Sequence, residues 1–570
     1  MGYLQSFSEI LKEYLKTLRG IEAKPWEHQI STWEALVKYS GEKIILLKAP
    51  TASGKTEAAI VPYFYQVLHN EWFLAPGLIY VLPNKTLLFS QLRRIKKFAE
   101  IILPKEKYQN LSIVADLGGI YPGKTFLFGD VVLTTLDAFV YGLLAKRTFL
   151  VAKNENLGKT LFPIGNISTS FVVFDEVQMY QDTYYYTPKI LRKIISLLGN
   201  SGIPLLIMTA TMPKKLQEEI MPENIDVREI LCNREISRGE IVIKERIKYN
   251  LHEFIRGKLT DLLDNYDRIL IVQNTVNRAI ETYLLLTSQK REHRVDLLHA
   301  RLLEKTRRER EGRLEDIKDK PTKFILIATQ VAESGLDIDF DVLLTEIAPI
   351  DGLIQRIGRV ARRKQRGHAY IFSPSSHHPY PRKILEKTLK VIVDERKRLE
   401  KAIRRIDETE RLLDMVYDRV PPVPDGLKRF LDTTINALNS LSPFKDLRIL
   451  TEHARVRPEL YFSALLIRDI PLEELMNKTR LELTITAKEI RENYLNIQYR
   501  GANLESYPFL KINDCVFEID ILATNIGGSH ILLRIRRQYT VSPGCLYLLN
   551  PDYYEYFNDY DLGIRVRDKK

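Results

Sequence analysis

Ala49-Pro50-Thr51-Ala52-Ser53-Gly54-Lys55-Thr56 follows the apolar run Ile44-Ile45-Leu46-Leu47 and leads into Glu57-Ala58-Ala59-Ile60. An apolar run, a loop of small residues and a helix-forming stretch predict a strand, a tight turn and a helix N-terminus. In that arrangement backbone N–H groups point into the loop, where phosphate oxygens are favoured. Thr51, Ala52, Ser53 and Gly54 would form the cradle, Lys55 would reach the β- and γ-phosphates, and the Thr56 hydroxyl would meet Mg2+. The pattern is G-x-x-x-x-G-K-[ST] with Ala49 replacing the first glycine. ATP and Mg2+ are the expected ligands.

Outward from this loop, composition sets the limits. The chain has 570 residues, and at about 150 residues per domain it has room for three or four domains. A hydrophobic fraction of 45% with 28% charged residues fits a soluble globular chain. No apolar run approaches the ~18 residues that span a bilayer, so no membrane partner is expected. Leu4, Phe7, Leu11, Tyr14, Leu15 and Leu18 recur at helical spacing among charged residues, unlike a secretion signal. A cytoplasmic location is expected. Cys232, Cys515 and Cys545 are too few and too scattered for a disulfide framework or a zinc site. The net charge of +12 favours a polyanionic partner, most simply nucleic acid. A basic solvated surface explains it equally well, and charge alone leaves both open.

Ahead of the loop, Gln29 in Trp26-Glu27-His28-Gln29 is a candidate reader of adenine, because an amide can pair with its N6/N7 edge. Residues 78–82 read as a buried strand followed by Pro83-Asn84-Lys85-Thr86, and residues 130–133 as another ending in Thr134-Thr135. Hydroxyls and amides at strand ends beside helix N-termini suit a phosphodiester backbone, and Gly119 would allow close approach. Pro83, Thr86, Gly119, Thr134 and Thr135 are therefore candidate nucleic-acid contacts. Phe171-Val172-Val173-Phe174 ends in Asp175-Glu176-Val177-Gln178. Asp175 would hold the metal ion and Glu176 would polarise the attacking water. A further strand ends in Thr209-Ala210-Thr211, whose hydroxyls could hydrogen-bond that carboxylate pair.

Strand–helix alternation restarts near residue 240. Asn274, His299, Arg301, Thr329 and Gln330 lie at the ends of its strands as further nucleic-acid candidates, although His299 reads equally well as a buried histidine. Gln355-Arg356-Ile357-Gly358-Arg359-Val360-Ala361-Arg362 places Arg359 and Arg362 three apart, so on a helix they share one face. Arginines offered to a γ-phosphate accelerate its transfer by ~10³–10⁵. This half has no phosphate loop of its own, so ATP is expected between a half that holds it and a half that supplies the arginines.

Taken in order, residues 49–56, 175–178, 209–211, 329–337 and 355–362 resemble motifs I, II, III, V and VI of the superfamily 2 helicases. The segment 328–341 further resembles the helicase of type I CRISPR interference systems, through its A-T-Q-x-x-E-x-x-L-D-x-D-F-D pattern. The resemblance implies an α/β fold of two tandem RecA-like parallel-sheet domains (1–235 and 236–380), a linker helix (381–426) and a mixed α/β accessory domain (427–570). It also implies a nucleic-acid-stimulated ATPase moving 3′→5′ on single-stranded DNA opened by an RNA-guided surveillance complex. Catalytic roles carry over to Lys55, Asp175, Glu176, Gln355, Arg359 and Arg362, nucleotide contacts to Gly335 and Asp337, and coupling to Gln178, Thr209, Thr211 and Arg356. Two departures stand out. Gln178 replaces the usual Asp or His, and none of the ten histidines is followed by Asp, the pair on which the family's nuclease domain is built. A helicase-only form with its nuclease on a separate polypeptide, as in archaeal type I-A systems, is therefore expected. A repair or RNA helicase of the same superfamily and an ATP-gated clamp are the alternatives.

Overall fold

The structure, a computed structural model, describes residues 2–20, 22–50, 53–117, 127–144, 157–232, 235, 239–246, 249–288, 292–318, 320–333, 338–362, 366–373, 376–440, 455–458, 460–467, 470, 475, 477, 480–499, 508–512, 515–524, 530–538, 546–558 and 560–565. Thr51, Ala52, Gly119, Gly335 and Asp337 lie outside the described residues. The chain divides into two compact units, Met1–Ser237 with Lys390–Pro458, and Arg238–Leu389 with Glu459–Lys570.

The first unit is built on β1 (Ile44–Lys48), β2 (Gly77–Leu82), β3 (Ile113–Asp116), β4 (Val131–Thr135), β5 (Ser170–Phe174), β6 (Leu205–Thr209) and β7 (Val227–Leu231). They form one sheet in the order β3-β4-β2-β5-β6-β1-β7, and every pairing is parallel. Parallel strands need crossover helices, which cover both faces, so the strands read as continuous apolar runs. Ile45, Leu47, Tyr80, Val173 and Met208 turn to one face and pack with Phe7, Trp33, Phe64 and Phe98. These four come from α1 (Gly2–Arg19), α2 (Glu27–Tyr39), α3 (Lys55–His69) and α4 (Lys85–Ile102). Ile44, Leu46, Val81, Phe174 and Ile207 turn to the other face, under Phe139, Ile190 and Ile194. Since all strands run the same way, the turns after β1, β5 and β6 emerge at one edge, where a doubly wound sheet places its ligand.

The second unit repeats the plan with β8 (Glu240–Arg246), β9 (Arg268–Val272), β10 (Arg294–Leu298), β11 (Phe324–Ala328), β12 (Val342–Glu346) and β13 (Arg366–Phe372). Their order is β10-β11-β9-β12-β13-β8, again parallel throughout. The same unit carries a mixed sheet from the strands between Leu460 and Leu549, and a hairpin of Tyr554–Phe557 with Tyr560–Ile564. The hairpin is anchored by Asp561. Its carboxylate accepts from the Tyr554 and Thr306 hydroxyls, and its carbonyl from the buried Arg310 guanidinium.

Residues 381–426 do not form one linker helix. They form Arg382–Asp394, Arg396–Ala402 and Ile406–Val416, and a further helix begins at Asp425. Leu399, Ala402, Ile406, Leu412 and Leu413 are buried. Apolar residues three and four apart suit short helices folded back on each other as well as one long helix. Arg405 leaves helical geometry (φ −130°) and pairs with Asp407, which fixes the turn. Residues 427–570 are likewise divided between the units. Leu431, Ala437 and Leu438 join the core of the first, and the strands from Leu460 onward belong to the second.

Candidate active site

At the edge of the first sheet, β1 ends and the loop turns through Ser53 and Gly54 into α3. Gly54 has φ +79°, and a Cβ there would sit 2.5 Å from the Gln29 amide nitrogen. Only glycine takes this left-handed turn against so close a neighbour. As the N-terminal flank of α3, Gly54 offers no side-chain cap, so the first N–H groups of the helix are open to an anion. The Gln29 amide donates to the Gly54 carbonyl (3.0 Å) and accepts from the Trp26 N–H (2.9 Å). It braces the loop and the start of α2 together. His28 does similar work, its Nε2 donating to the Ser53 carbonyl at 2.9 Å. Burial and, among the charges nearby, Lys55 lower its pKa to about 4, which keeps the ring neutral.

The Lys55 ammonium is buried, 3.0 Å from the Ala49 carbonyl and 3.3 Å from Glu176 Oε1. Asp175 ends β5 wholly buried, accepting from the Tyr80 hydroxyl (2.8 Å) and the Glu176 N–H (2.9 Å). Burial first, then the Glu176 charge, raise its pKa to about 7 against the pull of Lys55. Glu176 adopts a left-handed backbone (φ +51°), an uncommon conformation for a non-glycine residue that aims its carboxylate back at Lys55. The Gln178 amide donates to Glu176 Oε2, and its oxygen accepts from the Thr209 hydroxyl at 2.7 Å. Thr209 accepts in turn from the Thr211 N–H (3.2 Å). An amide can donate to a carboxylate and accept from a hydroxyl at once, so Gln178 joins these groups without a charge.

Among the described residues, Ser53 Oγ, Glu57 Oε2 and Thr211 Oγ1 are buried around this edge with no hydrogen-bond partner. Such orphans are costly unless something else satisfies them. Orphaned hydroxyls, an uncapped helix start, a buried lysine and two carboxylates fit a nucleoside triphosphate. Thr56 and Asp175 are the residues that would hold a divalent cation, with Asp175 accepting from the Tyr80 hydroxyl.

The candidates in the second unit gather differently. Arg356 is fully buried. It meets Glu333 Oε1 (2.8 Å), Asn274 Oδ1 (3.1 Å), Thr345 Oγ1 (3.0 Å), the Glu346 carbonyl (3.1 Å) and the Tyr380 hydroxyl (3.1 Å). Arg359 is folded onto the turn after β11, its Nε on the Ala332 carbonyl (2.9 Å) and its Nη2 on that of Glu333. The shared helical face expected of Arg359 and Arg362 is not formed. The helix Ile350–Ile357 stops at Gly358, and the chain then bridges Phe340 through Val360. Arg362 donates its N–H to Asp339 Oδ1 (2.8 Å) and its Nε to the Gly358 carbonyl (2.9 Å). Gln355 lies half-buried on the helix.

Several expected nucleic-acid contacts are occupied within the fold. The Thr134 hydroxyl bonds the Asp116 carbonyl (2.7 Å), and Thr135 caps the helix Leu136–Leu143 through the Ala138 N–H. The Pro83 carbonyl accepts from Arg457 (3.3 Å). Asn274 is buried, donating to the Ile347 carbonyl (2.8 Å). His299 is a satisfied core histidine: Nδ1 accepts from the Arg301 N–H (3.2 Å), leaving Nε2–H for the Leu562 carbonyl (2.9 Å). Burial drives its pKa well below the usual value, with Arg310 adding to the effect. Thr329 is buried, whereas Thr86, Arg301 and Gln330 keep partial exposure.

Residues 26–219 match the DEAD/DEAH box helicase family, and residues 265–365 match the family of the C-terminal part of the CRISPR-associated nuclease/helicase Cas3. A CRISPR-associated helicase Cas3 of Thermoproteus tenax is 30% identical over 387 residues, covering 66% of this chain and 63% of that protein. The chain is thus similar to DEAD/DEAH box helicases over its first parallel sheet and to Cas3 helicases over its second. A putative CRISPR-associated nuclease/helicase Cas3 of Methanocaldococcus jannaschii is 27% identical, over 70% of this chain and 55% of its own length. The Cas3-like chain thus spans little more than half to under two thirds of these relatives. Among solved structures, T. fusca Cas3 with AMPPNP superposes with TM-score 0.58 and 19% identity over 80% of this chain and 60% of that one. The DNA-bound DUF1998 helicase MrfA gives 0.54 and 15%, over 91% and 75%. Both show the shared fold.

Four polar groups of this Cas3-like helicase carried no signal in the sequence. Arg94 on α4 donates to Glu57 (Nε, 3.1 Å) and Thr56 (3.3 Å), and Tyr80 holds Asp175. Lys48, at the end of β1, pairs with Glu229 (2.8 Å) and Glu410 (3.1 Å). Tyr380 receives bonds from Arg356 and Gln330 (3.1 Å each). Each partner lies far off in sequence, where no local pattern links the two.

Proposed function

We propose that the chain is an ATP-driven 3′→5′ translocase on single-stranded DNA that unwinds target DNA in type I CRISPR interference. The observation that carries this reading is the grouping of Lys55, Asp175, Glu176 and the orphaned Ser53 hydroxyl at one edge of a parallel sheet. The phosphates lie on the α3 N-terminus and draw Lys55 away from Glu176. That frees the carboxylate to take a proton from the attacking water. Thr56 and Asp175 would hold Mg2+, which would supply charge neutralisation at the phosphate oxygens. Gln178 ties Glu176 to the Thr209–Thr211 turn, so the state of the nucleotide reaches β6. Arg359 and Arg362 act on the γ-phosphate after leaving the internal carbonyls they now bond.

Two features support a role alongside other proteins. The similar proteins are CRISPR-associated helicases, and one structure of similar fold is a CRISPR RNA-guided surveillance complex before nicking. Residues 1–570 hold no His-Asp pair, and in this reading strand cutting is the work of a nuclease acting together with them. The test is ATP hydrolysis by the purified chain with and without single-stranded DNA, together with unwinding of duplexes bearing a 3′ or a 5′ tail. Stimulated hydrolysis and unwinding from the 3′ tail are expected. A negligible rate in both conditions would favour the ATP-gated clamp instead.

A further inference from the structure

Within the second unit, the turn Gln330–Ala332 after β11 has two attachments. Through its carbonyls it holds Arg359, with the Ala332 oxygen 2.9 Å from Nε. Through the Gln330 amide it donates to the Asn274 carbonyl (3.0 Å) and to the Tyr380 hydroxyl (3.1 Å). Tyr380 lies in none of the motifs. It follows β13 in a segment also held by Arg278, whose Nη2 meets the His378 carbonyl at 3.5 Å. The phenol oxygen takes a second bond from Arg356 Nη2 at 3.1 Å. One oxygen thus joins the half-buried Gln330 side chain to a guanidinium that is otherwise fixed by Glu333, Asn274 and Thr345. Glu333 lies between them in the chain, its carboxylate on Arg356 and its carbonyl on Arg359.

We propose that Tyr380 is a positioning residue that ties the Gln330 turn to the Arg356 scaffold, so that strand binding at Gln330 is passed to Arg359. The proposal rests on the translocase reading above. When a strand draws on the Gln330 amide, the bond to Tyr380 is exchanged, and the turn shifts against a scaffold that does not move. The carbonyls of Ala332 and Glu333 shift with it, which releases Arg359. Without the hydroxyl, Gln330 can reorient with no consequence for the turn. The strand still binds, and the message is lost.

Tyr380→Phe keeps the ring and removes only the oxygen. In the full chain, hydrolysis with and without an oligothymidine strand, strand affinity by fluorescence anisotropy, and Tm are measured together. The expected result is unstimulated hydrolysis and strand affinity close to those of the unsubstituted protein, with stimulation reduced at least about fivefold, the lower range of coupling between sites. Gln330→Leu in both backgrounds completes a cycle, and its effect on stimulation should largely vanish once the hydroxyl is gone. Unchanged stimulation in Tyr380→Phe, or a parallel fall of both rates with Tm, overturns the proposal. If the unsubstituted protein hydrolyses ATP with no stimulation, the translocase reading fails first and the coupling falls with it.

Discussion

Around the phosphate loop, Ser53 Oγ, Glu57 Oε2 and Thr211 Oγ1 are buried without partners, and Glu176 keeps a left-handed backbone. In the second unit, by contrast, Arg356 finds acceptors on Glu333, Asn274, Thr345, Glu346 and Tyr380, and Arg278 is paired with Glu346. The first region leaves buried polar atoms without partners among the described residues, which suits a ligand site. The Arg356 cluster has its guanidinium fully partnered, and its arginines serve the fold before they can serve chemistry. Burial raises the carboxyls of Glu333 and Glu346, while Arg356 and Arg278 respectively hold them down. Buried pairs of this kind add little net stability, but breaking one is costly.

The sharpest break of that contrast is Glu176→Gln. Turnover should fall by ~10²–10⁴, the range for a lost general base, while a fluorescent nucleotide still binds. If binding were lost to the same degree, Glu176 would be serving the loop and not the reaction. Arg356→Leu strands Glu333 in the interior and should cost about 3–5 kcal/mol in urea unfolding. A cost near zero would mean that the second cluster is as open as the first.

The loop region has its own pH signature. The folded unit keeps His28 near pKa 4, against 6.5 for a free histidine. Between those values the unfolded chain binds a proton at this position that the folded unit refuses, so the His28 contribution to stability falls as pH drops from 6.5 towards 4, opposite in sign to that of Asp175, whose folded pKa is raised to about 7. His28→Asn should remove on the order of 3 kcal/mol of that dependence, read from urea midpoints across the range. An unaltered profile would place the titration elsewhere. The smallest effect is expected from Gly54→Ala. A left-handed alanine costs roughly 1–2 kcal/mol, seen as a lowered Tm, with the Gln29 amide displaced. No loss of Tm would mean that the turn relaxes freely.

The contrast also explains what could be read from the chain beforehand. The strand, loop and helix of residues 44–69 were legible because every cue is local: an apolar run, small residues, then Lys55 and Thr56 at a helix start. Strand–helix alternation exposed both parallel sheets for the same reason. Thr134 and Asn274 are bonded within the fold, and His299 takes the buried reading that the sequence left open, because a polar residue at a strand end looks the same whether it meets a phosphate or a neighbouring carbonyl. Arg359 and Arg362 kept helical spacing past a glycine that ends the helix. Arg94, Tyr80 and Tyr380 were silent, since their partners are set by tertiary contacts.

During synthesis neither unit can be finished early. The first lacks its Lys390–Pro458 portion until the ribosome has passed residue 458, and the second waits for a hairpin near residue 560. A gene cut at residue 237 would yield two fragments, one missing Leu431 and Leu438 from its core and the other having to fold around a foreign insert. Splitting this protein for separate expression therefore calls for following the two passes of the chain, with residues 390–458 supplied in trans or grafted behind the first sheet.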